Sequence, residues 1–260
     1  MLTPAVEALI ALAIEEDLGR GDVTSEAIFD AAATSSGRIM AKEALVVAGM
    51  AVAAAVFARV DRDTRFSARV EDGKKVAKGE IDAVVEGRTR ALLSAERTAL
   101  NFLQRLSGVA TLTRRFVDTV AGTRARIVDT RKTTPGWRAL DKDAVRAGGG
   151  SNHRVDLAAG VLIKDNHVAA CGGVKAAVER ARARAPHSLR VEVEVTELAQ
   201  IAEALAAGAD IILLDNFDPP KVAQAVKEIA GRALIEVSGG INLDTVRAFA
   251  EAGPDLISVG

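Results

Sequence analysis

The sequence predicts an α/β protein with a β/α barrel in its second half, preceded by a smaller domain that mixes helices with short strands. From about residue 124, short apolar runs rich in β-branched residues alternate with amphipathic segments. The near-continuous apolarity of each run is typical of parallel strands buried on both faces. At least six such units are present and no G-x-G-x-x-G motif follows a strand, which favours a barrel over an open sheet.

The individual elements of the second half follow from this alternation. Strands are predicted at residues 125–128, 161–163, 191–195, 211–214, 234–237 and 256–259. Helices are predicted between them at residues 173–185, 198–207, 220–229 and 244–252. The last strand runs directly into Gly260 with no helix to cover it, so we expect a further carboxyl-terminal segment in the natural protein.

The first half has a less regular pattern. Residues 4–18 have the apolar spacing of a helix, and residues 38–40 and 46–48 are expected to be short extended segments. The uncharged run at 44–58 as a whole predicts a buried helix. Two further helices, at 92–106 and 110–121, are expected to bridge the two domains, which we place at residues 1–108 and 109–260.

Composition excludes several classes of function. The 34 basic and 35 acidic residues nearly cancel, and only eight residues are aromatic, which argues against a nucleic-acid partner. The longest uncharged run has 15 residues, fewer than the ~20 that span a bilayer, so no membrane partner is expected. Glu7 interrupts the apolar amino terminus, and the lone Cys171 fits a reducing compartment. We therefore expect a cytoplasmic protein.

Polar residues follow each predicted strand, at the end of a barrel where active sites form. They are Asp129 to Lys132, Lys164 to His167, Glu192 with Glu194, Asp215 with Asn216, Ser238 to Gly240, and Gly260. Gly148 to Gly150 precede His153 and Arg154, which would reach the same rim. Four cations, Arg131, Lys132, Arg154 and Lys164, are concentrated there in a chain of nearly zero net charge, so the ligand should be a polyanion.

Several of these residues allow more than one interpretation. Glu192 and Glu194 share one strand face, and Glu192 could simply form an ion pair with Lys164 or Arg131. Glu194 with Asp215 could coordinate Mg²⁺ or accept hydrogen bonds from sugar hydroxyls. The Ser238–Gly240 segment before a helix from Asp244 could bind phosphate or form a tight turn.

The chain resembles the quinolinate phosphoribosyltransferase family. The matching segments cover nearly the whole chain in order: EEDLGRGDVTSEAI at 15–28, AERTALNFLQRLSGVAT at 95–111, DTRKTTPGWRAL at 129–140, GGGSNHR at 148–154, LIKDNHV at 162–168, VEVEV at 191–195, ILLDNF at 212–217 and EVSGGIN at 236–242. The resemblance implies a small α/β amino-terminal domain and an incomplete β/α barrel of about seven strands. It also implies a homodimer, with possible further assembly, in which each active site is shared between subunits.

The implied reaction joins quinolinate to phosphoribosyl pyrophosphate and gives nicotinate mononucleotide, pyrophosphate and carbon dioxide in NAD biosynthesis. By resemblance, Lys132, Lys164, Glu194 and Asp215 are the expected catalytic residues, and Glu194 and Asp215 the expected ligands of Mg²⁺. The expected substrate-binding residues are Arg97 from the partner subunit, Thr130, Arg131, Lys132, His153, Arg154, Lys164, Glu194, Asp215, Ser238, Gly239, Gly240 and Gly260.

Three other functions remain open from the sequence. A paralogue of the ModD type, associated with molybdenum transport, would share this architecture and act on another substrate. A Schiff-base aldolase would use Lys164, because such lysines occur at the ends of barrel strands. The third is a binding scaffold without catalytic activity.

Overall fold

The structure, a computed structural model, describes residues 2–260, which form two compact units. The first contains residues 2–114 and 133–149, and the second contains residues 115–132 and 150–260. The predicted boundary at residue 108 falls inside a helix. Residues 133–149 belong to the first unit because Leu140 and Ala144 are buried in its core.

The first unit contains two small antiparallel sheets and the helices that cover them. Its three-stranded sheet has the order β1-β5-β3, and β2 pairs with β4. The elements are α1 (Pro4–Leu18), α2 (Val23–Ile28), β1 (Thr34–Met40), β2 (Leu45–Val46), α3 (Met50–Val60), β3 (Arg65–Ala68), β4 (Lys75–Val76), β5 (Ile81–Arg88), α4 (Thr89–Thr119, which continues into the second unit) and α5 (Arg138–Ala147).

The predicted helix over residues 44–58 is wrong in its first part. Leu45 and Val46 form strand β2, and α3 begins only at Met50. Gly49 has a φ of 101°, and the carboxylate of Asp72 accepts the N–H groups of Gly49 and Met50 at 3.0 and 3.1 Å. A side chain distant in sequence therefore sets the start of the helix.

The two helices predicted at 92–106 and 110–121 form one continuous helix, α4, of 31 residues. Gly108 lies between the two predicted helices, but a glycine inside a helix costs only about 1 kcal/mol relative to alanine. Buried contacts outweigh this cost. Ser107, beside it, accepts the N–H of Ala48, and Leu106 and Ala110 are almost fully buried.

The second unit is an incomplete barrel of parallel strands, as predicted. Six strands pair in the order β6-β11-β10-β9-β8-β7 among residues 2–260, and Ser151 forms an isolated parallel bridge with Val128 in the place of a seventh. The elements are β6 (Arg126–Val128), β7 (Val161–Ile163), α6 (Asp165–Cys171), α7 (Val174–Arg184), β8 (Val191–Val195), α8 (Ala199–Ala206), β9 (Ile211–Asp215), α9 (Pro219–Ile229), β10 (Leu234–Ser238), α10 (Val246–Glu251) and β11 (Leu256–Ser258).

The two faces of these strands differ in polarity. One face carries residues that are at most 1% exposed and share a core with the helices: Val193, Ile212, Leu214, Ile235, Val237 and Ile257. Because side chains alternate along a strand, the opposite face, which points into the barrel, carries Glu192, Glu194, Asp215, Glu236 and Ser238. The apolar face stabilises the barrel, and the inner face provides the polar side chains that could form a functional site.

In the part of the chain that the structure describes, no helix has both the length and the apolar character needed to cross a bilayer.

We expect Ile212→Ala to lower the free energy of unfolding by about 2–5 kcal/mol, because it removes a fully buried side chain from the helix-facing side of β9. Gln224→Ala, at an exposed position on α9, is the matched control and should change it by less than about 0.5 kcal/mol. Urea unfolding followed by circular dichroism measures both, and equal effects would contradict this assignment of the core.

Candidate active site

The site lies at the carboxyl ends of the barrel strands, on the inner face. Asp215 pairs with Ser238 across β9 and β10, and Glu194 pairs with Leu213 across β8 and β9. Leu213 and Asp215 are two residues apart, so Glu194, Asp215 and Ser238 project to the same side of the sheet. The predicted grouping of these residues is therefore present.

Glu194 and Asp215 interact electrostatically. Burial raises the pKa of the Glu194 carboxyl, the nearby Asp215 carboxylate raises it further, and the Lys164 ammonium opposes both effects. Asp215 accepts a hydrogen bond from the Asn216 amide at 2.7 Å. Two neighbouring carboxylates that repel each other, with oxygen donors only, suit a hard divalent cation or sugar hydroxyl groups.

Arg131 and Arg154 form a pair of like charges. Burial lowers the pKa of the Arg154 guanidinium, and the positive charge of Arg131 lowers it further. The Nε–H of each is buried without a hydrogen-bond partner, and one Nη of Arg154 donates to the carbonyl of Gly160 at 3.0 Å. Two adjacent cations with unused donors are suited to an anion.

Lys132 and Thr130 lie beside the end of β11. A Cβ atom built on Gly260 would come within 3.2 Å of Lys132 Cδ and 3.8 Å of Thr130 Oγ1. The Lys132 N–H donates to Thr130 Oγ1 at 3.0 Å, and the Lys132 side chain is exposed. Parallel pairing of β6 with β11 produces this proximity, because it aligns the carboxyl ends of the first and last strands.

Gly239 packs against Asn216. A Cβ on Gly239 would lie 2.2 Å from Asn216 Oδ1, closer than non-bonded atoms can approach, and Gly239 has a φ of 95°. Asn216 itself has a φ of 57°, an uncommon conformation for a residue with a side chain. Its N–H donates to the Ser238 carbonyl at 2.9 Å. The loops after β9 and β10 are therefore locked together.

The predicted helix from Asp244 is shorter than expected. Helix α10 begins at Val246 and has only six residues, because Asn242 and Thr245 instead form a turn in which Asn242 Oδ1 accepts two backbone N–H groups. A phosphate at Gly239 and Gly240 would thus be bound by loop N–H groups and not by the end of a long helix.

Asp129 holds the segment that carries His153 and Arg154. Its carboxylate, 8% exposed, accepts the His153 N–H at 2.8 Å and the Asn152 amide at 2.7 Å. Ser151 hydrogen-bonds to the backbone of β6 on both sides of Val128. Gly148, at the other end, would clash with Ala110 and Thr113 if it had a side chain. Gly148 and Gly149 are therefore closely packed.

His153 points its ring into the barrel, where Nε2 lies 3.1 Å from Glu192 and 3.6 Å from Glu236. Glu192 accordingly pairs with His153, and not with Lys164 or Arg131 as the sequence suggested. The Glu192 hydrogen bond raises the pKa of His153, and Nδ1 accepts the N–H of Arg154 at 2.8 Å. His153 thus connects the inner acids to Arg154.

Two other predicted residues occupy simpler surroundings. The Lys164 side chain is exposed at the end of β7. The backbone N–H of Lys164 donates to His167 Nδ1 at 2.9 Å, so His167 caps this loop. Arg97 occupies an exposed position on α4 in the first unit.

Sequence reasoning assigned no role to Asp129, Asn216 or Glu236. Glu236 was detectable, because it lies in a strand of apolar residues two positions before Ser238 and therefore faces the same side. The contacts of Asp129 and Asn216 join segments whose separation the sequence does not specify.

The fold and site together define an enzyme: a parallel β/α barrel whose rim combines cations, carboxylates and glycine N–H groups to bind anionic small molecules. The chain belongs to the quinolinate phosphoribosyl transferase family, whose amino-terminal domain matches residues 22–107 and whose carboxyl-terminal domain matches residues 109–260.

Known proteins agree with this membership. The chain is 44% identical over 262 residues to the carboxylating nicotinate-nucleotide pyrophosphorylase of Mycobacterium leprae (strain TN), covering 98% of this chain and 92% of that protein. It is 39% identical to quinolinate phosphoribosyltransferase 1b of Nicotiana tabacum, covering 98% and 78%. Among solved structures, NadC from Streptococcus pyogenes superposes with a TM-score of 0.96 at 42% identity, covering 100% and 92%.

We expect Gly239→Ala to weaken binding of inorganic phosphate by about tenfold or more, because the added methyl group would displace Asn216 and separate the two loops. Gly240→Ala is the matched control. Its Cβ would meet no atom within 4 Å, so the φ of 64° costs stability but binding should change only slightly. Isothermal titration calorimetry measures both, and equal affinities would contradict a phosphate site in this loop.

Proposed function

We propose that the protein transfers the phosphoribosyl group of phosphoribosyl pyrophosphate to quinolinate, releasing pyrophosphate and carbon dioxide and forming nicotinate mononucleotide for NAD biosynthesis. The single observation that carries this proposal is the paired Arg131 and Arg154 at the barrel rim, with two buried and unused N–H donors. Quinolinate presents two adjacent carboxylates, which such a pair matches in charge and hydrogen bonding. Membership of the family supplies the reaction type.

On this proposal, the two arginines bind the quinolinate carboxylates, assisted by Lys164. His153 acts mainly through Arg154, since its Nδ1 accepts the Arg154 N–H and its Nε2 faces the barrel interior. This differs from direct carboxylate binding by His153, which the resemblance implied. Holding the ring nitrogen of quinolinate in one orientation lowers the entropic part of the barrier.

The ribose would lie against Glu194 and Asp215, and its phosphate against Ser238, Gly239, Gly240 and Gly260. As the bond to pyrophosphate breaks, positive charge develops on the ribosyl carbon, and the two carboxylates stabilise it. Lys132 and Thr130, beside Gly260, would bind the departing pyrophosphate. The ring nitrogen of quinolinate forms the new bond to the ribosyl carbon directly, so no protein nucleophile is required.

We further propose that Glu194 and Asp215 hold Mg²⁺. Their mutual repulsion and all-oxygen donor set fit this ion. When bound, Mg²⁺ would supply positive charge to the pyrophosphate oxygens.

Decarboxylation follows ribosylation. The ring nitrogen is then cationic, so the electron pair left at the neighbouring carbon when carbon dioxide departs is stabilised, and that carbon finally takes up a proton. The protein needs only to orient the leaving carboxylate.

An aldolase that uses Lys164 has less support. A Schiff-base lysine is activated by burial in an apolar pocket or by a neighbouring cation. Lys164 is exposed, and the charge it interacts with is the Glu194 carboxylate.

Two further features belong to the proposal. Arg97 would complete the quinolinate site from the partner subunit of a homodimer, since its exposed position on α4 allows contact with a second chain. The cytoplasm would be the site of action, because the lone Cys171 suits a reducing compartment.

We expect purified protein with Mg²⁺ to release carbon dioxide from carboxyl-labelled quinolinate only when phosphoribosyl pyrophosphate is present. Lys132→Ala and Arg154→Ala should each lose about 10²–10³-fold in kcat/KM, the cost of removing one preorganised electrostatic contact. Lys175→Ala, an exposed residue on α7, is the control and should match the wild type. No labelled carbon dioxide from the wild type would contradict the proposed reaction, and would leave a ModD-like activity on another substrate to be tested.

We expect inactive Arg97→Ala and inactive Lys164→Ala subunits to restore activity when mixed and allowed to exchange. A mixed dimer would contain one site with both native residues and one site lacking both. Equal mixing gives about half mixed dimers, hence roughly a quarter of wild-type activity if the sites act independently. A mixture that remains inactive after verified exchange would mean that Arg97 does not act across subunits.

A further inference from the structure

Below the rim, the barrel contains a half-open cavity of about 380 Å³, and an acidic cluster lines it. Glu192 on β8 and Glu236 on β10 face each other there, with His153 between them. A ring nitrogen of His153 and one carboxylate oxygen from each glutamate all lie within 4.8 Å of one another. The side chains of Glu192 and Glu236 are 6% and 1% exposed, so neither is solvated by bulk water.

The hydrogen bonds of His153 fix the position of its proton. Nδ1 accepts the backbone N–H of Arg154 at 2.8 Å, so a neutral ring must carry its hydrogen on Nε2. Nε2 lies 3.1 Å from Glu192 and 3.6 Å from Glu236, so this hydrogen is donated to Glu192. His153 therefore gives Glu236 no hydrogen bond of normal length.

The carboxyl group of Glu236 is buried and unsatisfied. Neither of its carboxyl oxygens has a hydrogen-bond partner, and one oxygen of Glu192 is buried and equally unsatisfied. The Ser258 hydroxyl lies close enough to Glu236 to lower its pKa, but its hydrogen is directed at the Val237 carbonyl at 3.2 Å. As a carboxylate, Glu236 would leave its charge buried and its oxygens unpaired, which is costly. As a carboxylic acid, it could donate to the unused oxygen of Glu192.

A metal ion is the other means of neutralising such a cluster. His153 argues against it, because the Nε2 atom that would bind the metal carries the hydrogen when Nδ1 accepts from Arg154. The cavity is also lined by the arginines Arg126, Arg154 and Arg190, which disfavour a cation. A proton requires no rearrangement of either group.

We propose that Glu236 is a positioning residue that carries a proton in the folded enzyme, donates it to Glu192 in a hydrogen bond, and thereby holds Glu192, His153 and Arg154 in the arrangement that binds substrate. The kinetic part of this inference rests on the proposed function. The assignment of the proton does not.

The electrostatic surroundings support this assignment. Burial raises the pKa of Glu236 to about 7 and the charge of Glu192 raises it further, whereas a positive charge on His153 and a hydrogen bond from Ser258 would oppose both effects. The neighbouring strands β9 and β11 present Ile211 and Leu256 and no charged side chain to this cavity among the described residues. The charged groups that face it are Glu192 from β8, His153 and Arg154 from the segment after β6, and Arg126 and Arg190 at the starts of β6 and β8.

Because folding raises this pKa, the resulting stability is fully present below pH 4.5 and is lost as the pH rises through about 7. Above pH 7, the cluster beneath the substrate site gains a negative charge. Binding of the doubly charged quinolinate should then weaken.

The first experiment follows thermal unfolding without substrate between pH 5 and pH 8.5 for the wild type, Glu236→Gln and Glu203→Gln. Glutamine mimics the protonated acid, so Glu236→Gln should lose less stability than the wild type as the pH rises. The difference should reach about 10²-fold in the folded-to-unfolded ratio. Glu203→Gln, exposed on α8, should follow the wild type. Identical pH profiles for all three proteins would overturn the assignment.

The second experiment measures kinetics over the same pH range. In the wild type, the KM for quinolinate should rise above pH 7, whereas in Glu236→Gln it should stay nearly constant, with kcat within about twofold of wild type at pH 6.5. An unchanged KM profile in a variant whose stability profile has changed would overturn the positioning role. If the wild type does not turn over quinolinate at all, the proposed function fails, and the unfolding data still decide the protonation of Glu236.

Two measurements on the wild type cover the remaining outcomes. Infrared spectroscopy should show a protonated carboxyl band that disappears with a midpoint near pH 7, which tests the proposal even if Glu236→Gln does not fold. Absence of the band at pH 6 would overturn it. In titrations with Zn²⁺ and with Mg²⁺, no ion should bind to this cluster and displace its proton. Stoichiometric binding of either ion that Glu236→Gln abolishes would overturn the proton in favour of a metal.

Discussion

The hydrogen bonds of the buried Asp129 carboxylate hold the site together. Asp129 directly follows β6, and it fixes Asn152 and His153 against that strand where the barrel has a single bridge in place of a full strand. A regular strand would have provided a ladder of backbone hydrogen bonds. Here one side chain replaces much of that ladder, and the chain that follows carries the His153 ring toward Glu192 and Glu236. The barrel can therefore be irregular at this point without leaving the segment of residues 151–154 unsupported.

The inner face of the barrel arranges its acids at two depths. Glu194 and Asp215 lie near the rim, where solvent, substrate or a cation can neutralise them. Glu192 and Glu236 lie deeper, where only a hydrogen bond or a proton can do so. On β8, the two-residue repeat places Glu192 at the deeper level and Glu194 near the rim. Asp215 on β9 and Glu236 on β10 complete the two pairs. Their different burial gives chemically identical groups different roles.

Much of this arrangement could be predicted from the sequence. The alternation of apolar runs identified the barrel strands, and the residues after each run identified the rim, because parallel strands end at the same edge. Three features required the structure. Gly108 resembles a helix break but is accommodated in α4 by buried neighbours, whereas Gly49, which does precede a helix, depends on Asp72 for its cap. The partner of Glu192 is a histidine from 39 residues earlier in the chain. Such distant pairings depend on packing and leave no local pattern.

The contact between Gly239 and Asn216 has a consequence for substrate selection. The loop after β9 carries the carboxylate proposed to meet the ribose hydroxyls, and the loop after β10 carries the backbone proposed to meet the phosphate. Because the two loops touch without room for a single methyl group, neither can move independently of the other. The distance between sugar and phosphate recognition is therefore constant, and a ligand with a longer or shorter linkage could satisfy only one of them. The protein would thus discriminate among phosphorylated sugars by length, through the close contact of the Gly239 backbone with the Asn216 side chain.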